Sequence, residues 1–309
     1  MEAVLESVED EVPKLRLNQE NRISFPLILA FADDLIVIAE TREDLELVVG
    51  KLTEYLAYVG LKLNRDKCKV LVRQPIGEPI ESIDILGTIY VTTDPLRYLG
   101  IFLTAKLERP MTIRTRCRTA VRVSKSILGF LREYRPTWQL ARVIYESVIA
   151  PSMLYGTQVA VLTKYSRRSI RGYESQIVQA MAELCRDTVG CIRTTTSLLR
   201  RRRITKKIRM YQMRWLGHIR RRPSSHPIRV ATRLEAPCLR RCRPSYTWKD
   251  MVKQNISRYN DLTYRGWCEL AHNKNDYHKR LMQIFEQDES DASDWGKSNQ
   301  YCAPTLLLL

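Results

Sequence analysis

The sequence predicts an α+β fold, with antiparallel β-hairpins and one helix in residues 1–105 and an all-α region behind them. Two observations predict this division. Before residue 105 the apolar residues form short runs rich in β-branched and aromatic side chains, whereas from Pro110 onward they recur at helical spacing. The formal charge also changes, from a net −7 over residues 1–100 to +24 over the rest. We therefore expect two regions with different roles.

The first region begins with a polar, acidic stretch, Met1–Glu20, that is typical of a helix and a loop, and the apolar segment Ile23–Ala39 follows, interrupted only by two adjacent acids. This pattern predicts two strands joined by a tight turn. Thr41, followed three residues later by Asp44, is typical of a helix start, and apolar residues then recur at helical spacing up to Val59. Gly60 is expected to end this helix. A short strand is predicted over residues 67–73, and a second pair of strands through Val91 and Leu103.

Helical periodicity dominates the second region. The predicted elements are a helix from Pro110, a helix over Trp138–Ile149 stopped by Pro151, a helix over Arg167–Cys185, basic helices across Arg200–Arg221, an extended connector over Pro223–Pro244 and a last helical region from Trp248.

Composition narrows the class of protein. The formal charge of +17 indicates a polyanionic partner, either nucleic acid or an acidic membrane surface. Within the basic part, residues 191–250 hold 18 basic and 2 acidic residues. The acidic N-terminus does not resemble a secretory signal, and no apolar run reaches transmembrane length. The eight scattered cysteines fit a reducing compartment. We expect an intracellular protein, nuclear or cytoplasmic, that is neither secreted nor inserted in a membrane.

The two adjacent acids, Asp33 and Asp34, are the sharpest chemical feature. Carboxylates inside an apolar run need compensation if they are buried, and a divalent cation supplies it. Nucleotidyl transfer uses carboxylates that hold two Mg²⁺ ions about 4 Å apart across the attacking and leaving oxygens. The alternative is a plain hairpin turn, since aspartate favours turns. The dipeptide alone favours the plain turn, and the sequence around it must decide for a metal site.

Seven motifs together resemble the reverse transcriptases of non-long-terminal-repeat, or LINE-like, retrotransposons, in the order that this family has them. They are Phe31-Ala32-Asp33-Asp34-Leu35, Gly60-Leu61-Lys62-Leu63-Asn64, Lys67-Cys68-Lys69-Val70, Arg97-Tyr98-Leu99-Gly100-Ile101, Ile149-Ala150-Pro151-Ser152-Met153-Leu154-Tyr155-Gly156, Arg214-Trp215-Leu216-Gly217-His218, and Arg243-Pro244 with Trp248-Lys249-Asp250.

The resemblance implies a partial polymerase palm at residues 1–105, a thumb-like helical region at 106–190 and a basic C-terminal helical region at 191–309. The implied activity is RNA-directed DNA polymerisation with Mg²⁺ as cofactor, and Asp33 and Asp34 would be catalytic metal ligands. The implied partners are an RNA template, an RNA–DNA hybrid or target DNA. The palm residues expected to contact nucleic acid are Lys69, Arg97, Tyr98 and Gly100.

The family's palm also has an earlier strand with another metal-binding aspartate, a glycine-bearing nucleotide pocket and preceding fingers. The thirty residues before Phe31 leave no room for them, and Asp10 lies in an acidic, helix-like stretch without an apolar strand. We therefore expect no template-directed synthesis by this chain alone, unless the palm and fingers are supplied in trans. Whether the chain acts as an enzyme stays open. The alternatives are a non-enzymatic RNA- or DNA-binding protein and an unselected relic reading frame.

Dense basic runs with interleaved aromatic residues mark the back half, and this combination is typical of proteins that hold nucleic acid without reading its sequence. The basic candidates are Arg200, Arg201, Arg202, Arg203, Lys206, Lys207, Arg220, Arg221 and Arg222. A solvated helix face or a nuclear localisation signal would look similar. For Trp215, which has apolar neighbours, a role as a core anchor is favoured over stacking.

Four residues have the chemistry of zinc ligands, namely His218, His226, Cys238 and Cys242. Their spacing is loose, with seven, eleven and three residues between successive members. The sequence does not decide whether they bind zinc.

Overall fold

The computed structural model describes residues 2–12, 15–16, 24–73, 80–105, 110–188, 198–199, 203–232, 246–259 and 261–287. The chain divides into two compact units. The first, the N-terminal unit, comprises residues 1–108 and 225–231, and the second, the helical unit, comprises residues 109–224 and 232–309. The antiparallel hairpins of the described residues lie in the first unit together with three helices, and the remaining helices lie in the second unit. This arrangement confirms the α+β class.

The N-terminal unit contains two long helices and a series of short strands that pair as neighbours along the chain. Its elements are α1 (Glu2–Glu11), β1 (Leu15–Arg16), β2 (Ser24–Phe25), β3 (Ile28–Phe31), β4 (Asp34–Val37), α2 (Arg42–Tyr58), β5 (Ser82–Ile85), β6 (Thr88–Val91), β7 (Leu96–Tyr98), β8 (Ile101–Leu103) and the short α8 (Pro227–Ala231). Among the described residues the strands form four two-stranded antiparallel sheets, β1–β2, β3–β4, β5–β6 and β7–β8.

Helix α2 begins and ends where the sequence predicts. The Thr41 side chain accepts a hydrogen bond from the backbone N–H of Asp44, which satisfies a donor in the first turn. At the other end Gly60 takes a φ of +75°, the left-handed conformation that glycine adopts without penalty. The buried face of α2 packs against α1 and β3, and these elements form the core of the unit. Apolar spacing thus predicted both the helix and its buried face.

The strand predicted over residues 67–73 is wrong. The structure has a single 3₁₀ turn at Arg65–Lys67, and Val70 makes one isolated bridge with Thr92. The cause is local, because the Asn64 side chain accepts a hydrogen bond from the Lys67 backbone N–H and stabilises a turn.

The helical unit contains the remaining helices. They are α3 (Pro110–Tyr134), α4 (Trp138–Ile144), α5 (Ala150–Leu154), α6 (Lys164–Glu183), α7 (Ile204–Arg221), α9 (Trp248–Ser257), α10 (Tyr264–Leu270) and α11 (Lys274–Gln287), with a π-helical segment at Tyr145–Ile149 between α4 and α5. One hydrophobic core is formed by α3, α4, α5, α6 and the N-terminal part of α7. A second core is formed by the C-terminal half of α7 together with α9, α10 and α11. The helical periodicity in this part of the sequence is confirmed.

Pro151 does not stop the helix that precedes it, contrary to the sequence-based prediction. The π-helical segment ends with a bond from the Ala150 N–H to the Tyr145 carbonyl, and α5 then begins at Ala150. Pro151 therefore lies in the first turn of a new helix, where a backbone N–H has no intrahelical partner and proline is tolerated.

The connector predicted to be extended over residues 223–244 contains the helical turn α8 (Pro227–Ala231). Residues 233–245 of that connector lie outside the described residues. None of the helices in the described part of the chain is long and apolar enough to cross a membrane.

Candidate active-site turn and nucleic-acid interface

The two adjacent aspartates lie at the tip of the β3–β4 hairpin. Phe31 pairs with Asp34, so Ala32 and Asp33 form a two-residue turn between the strands. Both carboxylate residues are exposed, as is Phe31 beside them. The expected burial of these carboxylates is not observed, because both lie at the exposed tip of the hairpin. A bound cation is therefore not needed to offset a desolvation cost. The turn presents two carboxyl groups to a ligand from outside.

The turn has a strained backbone at Ala32, whose φ is +55°. Side-chain-bearing L-residues pay about 1 kcal/mol or more in this left-handed region. Such outliers persist where the surrounding structure holds them, and they are frequent in functional turns. Here the β3–β4 ladder on one side and the packing of Ile28 against the α1–α2 core on the other hold the hairpin.

The second hairpin of interest, β7–β8, lies close enough to this turn for a charge interaction. The pKa of the Tyr98 hydroxyl is raised, first by partial burial and second by the negative charge of the Asp34 carboxylate. Leu99 and Gly100 form the hairpin turn with φ values of +45° and +74°, and positive φ at both positions is the signature of a type I′ turn. Arg97, on strand β7, is exposed to solvent. The Asp34 carboxylate therefore lies within electrostatic range of Tyr98.

Lys69, the remaining candidate of the N-terminal unit, is exposed and follows the 3₁₀ turn. Within the described residues no group of three or more His, Cys, Asp or Glu side chains could hold a metal ion. Asp33 and Asp34 alone fit a magnesium site of the kind that keeps one or two carboxylates and takes its other ligands from water and substrate phosphates.

Helix α7 carries most of the described basic candidates, and it has six Lys or Arg residues and no acidic residue. Their environments differ. Arg203 and Lys206 are buried, Lys207 and Arg220 are partly buried, and Arg221 and Arg222 are exposed. The candidates Arg200, Arg201 and Arg202 lie outside the described residues. Arg221 and Arg222, at the C-terminal end of α7, are the exposed members of this set, and the Arg221 Nη1 donates a hydrogen bond to the Ala271 carbonyl at 3.2 Å.

Arg203 takes part in a buried ionic cluster centred on Glu174 of α6. The Arg203 Nε lies 2.6 Å from Glu174 Oε2, and the carboxylate also accepts hydrogen bonds from the Ile204 N–H (2.7 Å) and the Tyr145 hydroxyl (3.1 Å). Burial raises the pKa of Glu174, while the Arg203 charge opposes that shift. Glu174 therefore holds the start of α7 and joins it to the π-helical segment.

Sequence reasoning missed Glu174, although one signal was present. It is an isolated acid in a helix that otherwise reads Lys-Tyr-Ser-Arg-Arg-Ser-Ile-Arg-Gly-Tyr before it. A single carboxylate at a core-facing position among arginines predicts a buried ion pair, but the partner 29 residues away is not readable from periodicity.

The four candidate zinc ligands are only partly described. His218 lies on α7, where its ring stacks on Trp215, and the His226 Nδ1 accepts a hydrogen bond from the Ile228 N–H. Cys238 and Cys242 lie outside the described residues. Trp215 itself is partly buried and flanks a surface groove, so it is not the core anchor that was predicted.

Comparison with known proteins gives one family profile and one curated relative, and the profile match lies in the N-terminal unit. A family profile described as "Reverse transcriptase (RNA-dependent DNA polymerase)" matches residues 6–103. The Retrovirus-related Pol polyprotein from type-2 retrotransposable element R2DM of Drosophila melanogaster is 39% identical over 102 residues, which cover 29% of this chain and 9% of that polyprotein. No solved structure matches significantly.

Proposed function

We propose that this chain is part of a larger RNA-directed DNA polymerase of the non-long-terminal-repeat retrotransposon type, because residues 6–103 match the reverse transcriptase profile and the chain is similar to a retrotransposon polyprotein. The aligned region spans about a tenth of the retrotransposon polyprotein that it matches, so the polymerase activity belongs to the proposal. In this proposal residues 1–105 are palm, residues 106–190 are thumb-like and residues 191–309 form a basic C-terminal region.

The observation that carries the proposal is the exposed Asp33-Asp34 turn at the tip of a two-stranded hairpin, inside the region of family similarity. When Mg²⁺ is bound, it neutralises charge that develops on the transferred phosphoryl group and on the leaving oxygen. The chain's own contribution is positional. The β3–β4 ladder fixes both carboxylates, and the strained Ala32 backbone sets the direction in which they leave the sheet.

The β7–β8 hairpin holds the primer strand in this proposal. Tyr98 is partly buried and its pKa is raised by burial and by the Asp34 charge, which supports a path for a strand over Tyr98 and Gly100 in the vicinity of the carboxylates. Gly100 has no side chain, and its backbone can approach a sugar–phosphate strand closely. Arg97 and Lys69 are exposed and supply positive charge for phosphates.

We further propose that RNA template, RNA–DNA hybrid or target DNA contacts the C-terminal turn of α7, where Arg220, Arg221 and Arg222 follow one another. The basic charge of this region supports the proposal because phosphate neutralisation is the main source of sequence-independent affinity. Arg203 is assigned to the Glu174 ion pair instead.

Metal binding at the turn can be tested by affinity cleavage. Fe²⁺ substituted for Mg²⁺ generates hydroxyl radicals under ascorbate, and these radicals cut the protein backbone and a bound primer strand near the metal. We expect cuts near residue 33 in the wild-type chain, and loss of those cuts in the Asp33→Asn and Asp34→Asn variants. Asp66→Asn, an exposed acid of the same unit, is the matched control. Cleavage unchanged in both turn variants would refute the assignment.

The catalytic state of the 309-residue chain by itself is a separate part of the proposal. Within the described residues no third metal-binding side chain accompanies Asp33 and Asp34, which would hold the metal with two carboxylates only, and loss of a central catalytic group removes orders of magnitude in rate. We expect no primer extension with Mg²⁺ or Mn²⁺ from the chain alone. Extension that disappears in Asp33→Asn would contradict this expectation while it supported the metal site.

The basic composition of α7, with no acidic residue, favours a second candidate, a nucleic-acid-binding protein without catalysis. It predicts salt-dependent binding to RNA and hybrids that is unaffected by the two aspartate variants and weakened when Arg220, Arg221 and Arg222 become Ala. An unselected relic reading frame would show neither binding preference.

A further inference from the structure

A groove of about 440 Å³ on the helical unit combines aromatic and basic side chains. It lies where the end of α5 and the following turn meet the middle of α7. The residues that line it are Pro151, Leu154, Tyr155, Gly156, Gln158, Tyr211, Arg214, Trp215 and His218. Its volume falls in the range of small-ligand sites, roughly 300–1,000 Å³.

The aromatic rings of the groove are accessible and already engaged in planar contacts. The Trp215 and His218 rings stack with centroids 5.0 Å apart and planes 13° apart. Tyr155 is 50% exposed, and the Arg116 guanidinium carbon lies 4.2 Å from its ring centroid. The exposed half of Tyr155 is therefore the aromatic surface that a flat ligand can reach.

The groove wall on the α5 side is held rigidly from beneath. Gly156 takes a φ of +75°, which turns the chain sharply after Tyr155. The turn's carbonyls are then fixed by two donors from neighbouring helices. Gln212 Nε2 of α7 donates to the Thr157 carbonyl at 3.2 Å, and Trp248 Nε1 of α9 donates to the Gln158 carbonyl at 2.8 Å. Such support lowers the ordering cost of binding.

The charge of the groove favours a polyanion as its occupant. None of the described residues that line it is acidic, and Arg214 lies on its rim while Arg116 covers Tyr155. An apolar peptide side chain seated there would desolvate these guanidinium groups without compensation. A nucleotide matches both features, since its base stacks on aromatic rings and its phosphate pairs with arginine.

We propose that this groove binds an unpaired nucleobase of single-stranded RNA or DNA, stacked on Tyr155, with the neighbouring phosphates at Arg116 and Arg214. Gln158 also lines the groove, and a glutamine side-chain amide can both donate to and accept from a base edge. The inference rests on the proposed nucleic-acid contact of the helical unit and narrows it from any polyanion to a strand with an unstacked base.

The test compares a fluorescein-labelled single-stranded oligoadenylate with an abasic oligomer of equal length, using fluorescence anisotropy on the full chain. Tyr155→Ala is expected to weaken oligoadenylate binding about tenfold, a value within the range for loss of one base–aromatic stack. Binding of the abasic oligomer should change less than about twofold, because its phosphates are the same. Tyr165→Ala, which removes a 67% exposed tyrosine outside the groove, is the matched control.

Photocrosslinking supplies a readout that needs no variant. A 5-bromouracil-substituted strand is expected to crosslink to peptides containing Tyr155, Trp215 or His218, as mapped by mass spectrometry. The groove is refuted as the base-binding site if Tyr155→Ala and wild type bind oligoadenylate equally, or if the crosslinks are confined to other peptides. In either case, binding of the oligomer by the wild-type chain would still support the proposed nucleic-acid contact. If the wild-type chain binds neither oligomer, both proposals fail. If a peptide binds in the groove and oligonucleotides do not, the groove is a protein-docking site and the proposal is refuted.

Discussion

Gly217 of α7 has no room for a side chain, and its replacement by alanine gives a sharp test of the packing in the helical unit. A Cβ at this position would lie 2.7 Å from Tyr277 Cε1 and 3.0 Å from its Cζ. The ring cannot retreat freely. It is 3% exposed, its hydroxyl donates to the Met213 carbonyl at 2.5 Å, and its plane meets the edge of Trp267 with centroids 5.2 Å apart.

The expected magnitude follows from three opposing contributions. Alanine gains about 1 kcal/mol over glycine in a helix interior. A contact that must open by about 1 Å overpacks the core, at a cost of ~1–3 kcal/mol. Loss of the Tyr277 hydroxyl bond adds about 1 kcal/mol. We therefore expect Gly217→Ala to lower the free energy of unfolding of the helical unit by about 1–3 kcal/mol.

Gly172→Ala is the matched control, because Gly172 lies inside α6 and a Cβ there would meet nothing within 4 Å. It should raise stability by up to about 1 kcal/mol. Urea unfolding followed by tryptophan fluorescence and by far-ultraviolet circular dichroism measures both variants. A Gly217→Ala protein as stable as wild type, with an unchanged denaturant slope, would refute the close packing of α7 on Tyr277.

Three further substitutions test other parts of the structure. Glu174→Gln leaves the Arg203 charge buried without its partner and should lower the unfolding free energy by about 3–5 kcal/mol, whereas the exposed Glu183→Gln should change it by less than about 0.5 kcal/mol, both by urea titration. Asp250 closes a capping box at α9, and its pKa is lowered, chiefly by the Thr247 hydroxyl. Its stabilisation is complete above the unfolded value of 3.8 and is lost as the pH falls through the lower folded value, so a deficit of about 1 kcal/mol in Asp250→Asn at pH 7 should vanish in acid. Ala32→Val should destabilise the β3–β4 hairpin by ~1–2 kcal/mol, since a β-branched residue resists a positive φ, as amide hydrogen exchange would report.

The helices and the aspartate turn could be predicted because their signals are local. Thr41 and Gly60 bound α2 through contacts within a few residues, and the apolar runs on either side of Asp33 specify a hairpin without any distant partner. The strand over residues 67–73 failed for the complementary reason. A strand needs a neighbour to pair with, and the Asn64 side chain offered the chain a turn instead.

The burial of the basic residues could not be predicted, because it depends on contacts that are distant in sequence. Arg203 and Lys206 have the composition of a solvated or nucleic-acid-binding face, and only the fold brings Glu174 against the start of α7. In the same way, the partners of Tyr98 and Tyr155 come from separate segments, Asp34 in one case and Arg116 in the other. Sequence alone indicates which charges are available, and tertiary structure decides which of them are already paired.

The motif Arg214-Trp215-Leu216-Gly217-His218 combines two surfaces in little more than one helical turn. Leu216 and Gly217 face the core that contains Tyr277, while Trp215 and His218, three residues apart, face the groove. If these faces act separately, Gly217→Ala should weaken stability and leave oligoadenylate affinity within about twofold of wild type at a temperature where the variant is folded. Tyr155→Ala should weaken oligoadenylate affinity and leave the stability of the helical unit nearly unchanged. Equal loss of oligoadenylate affinity in both variants would mean that the shape of the groove depends on how α7 packs against α11. The core-facing and groove-facing residues of the motif would then not act independently.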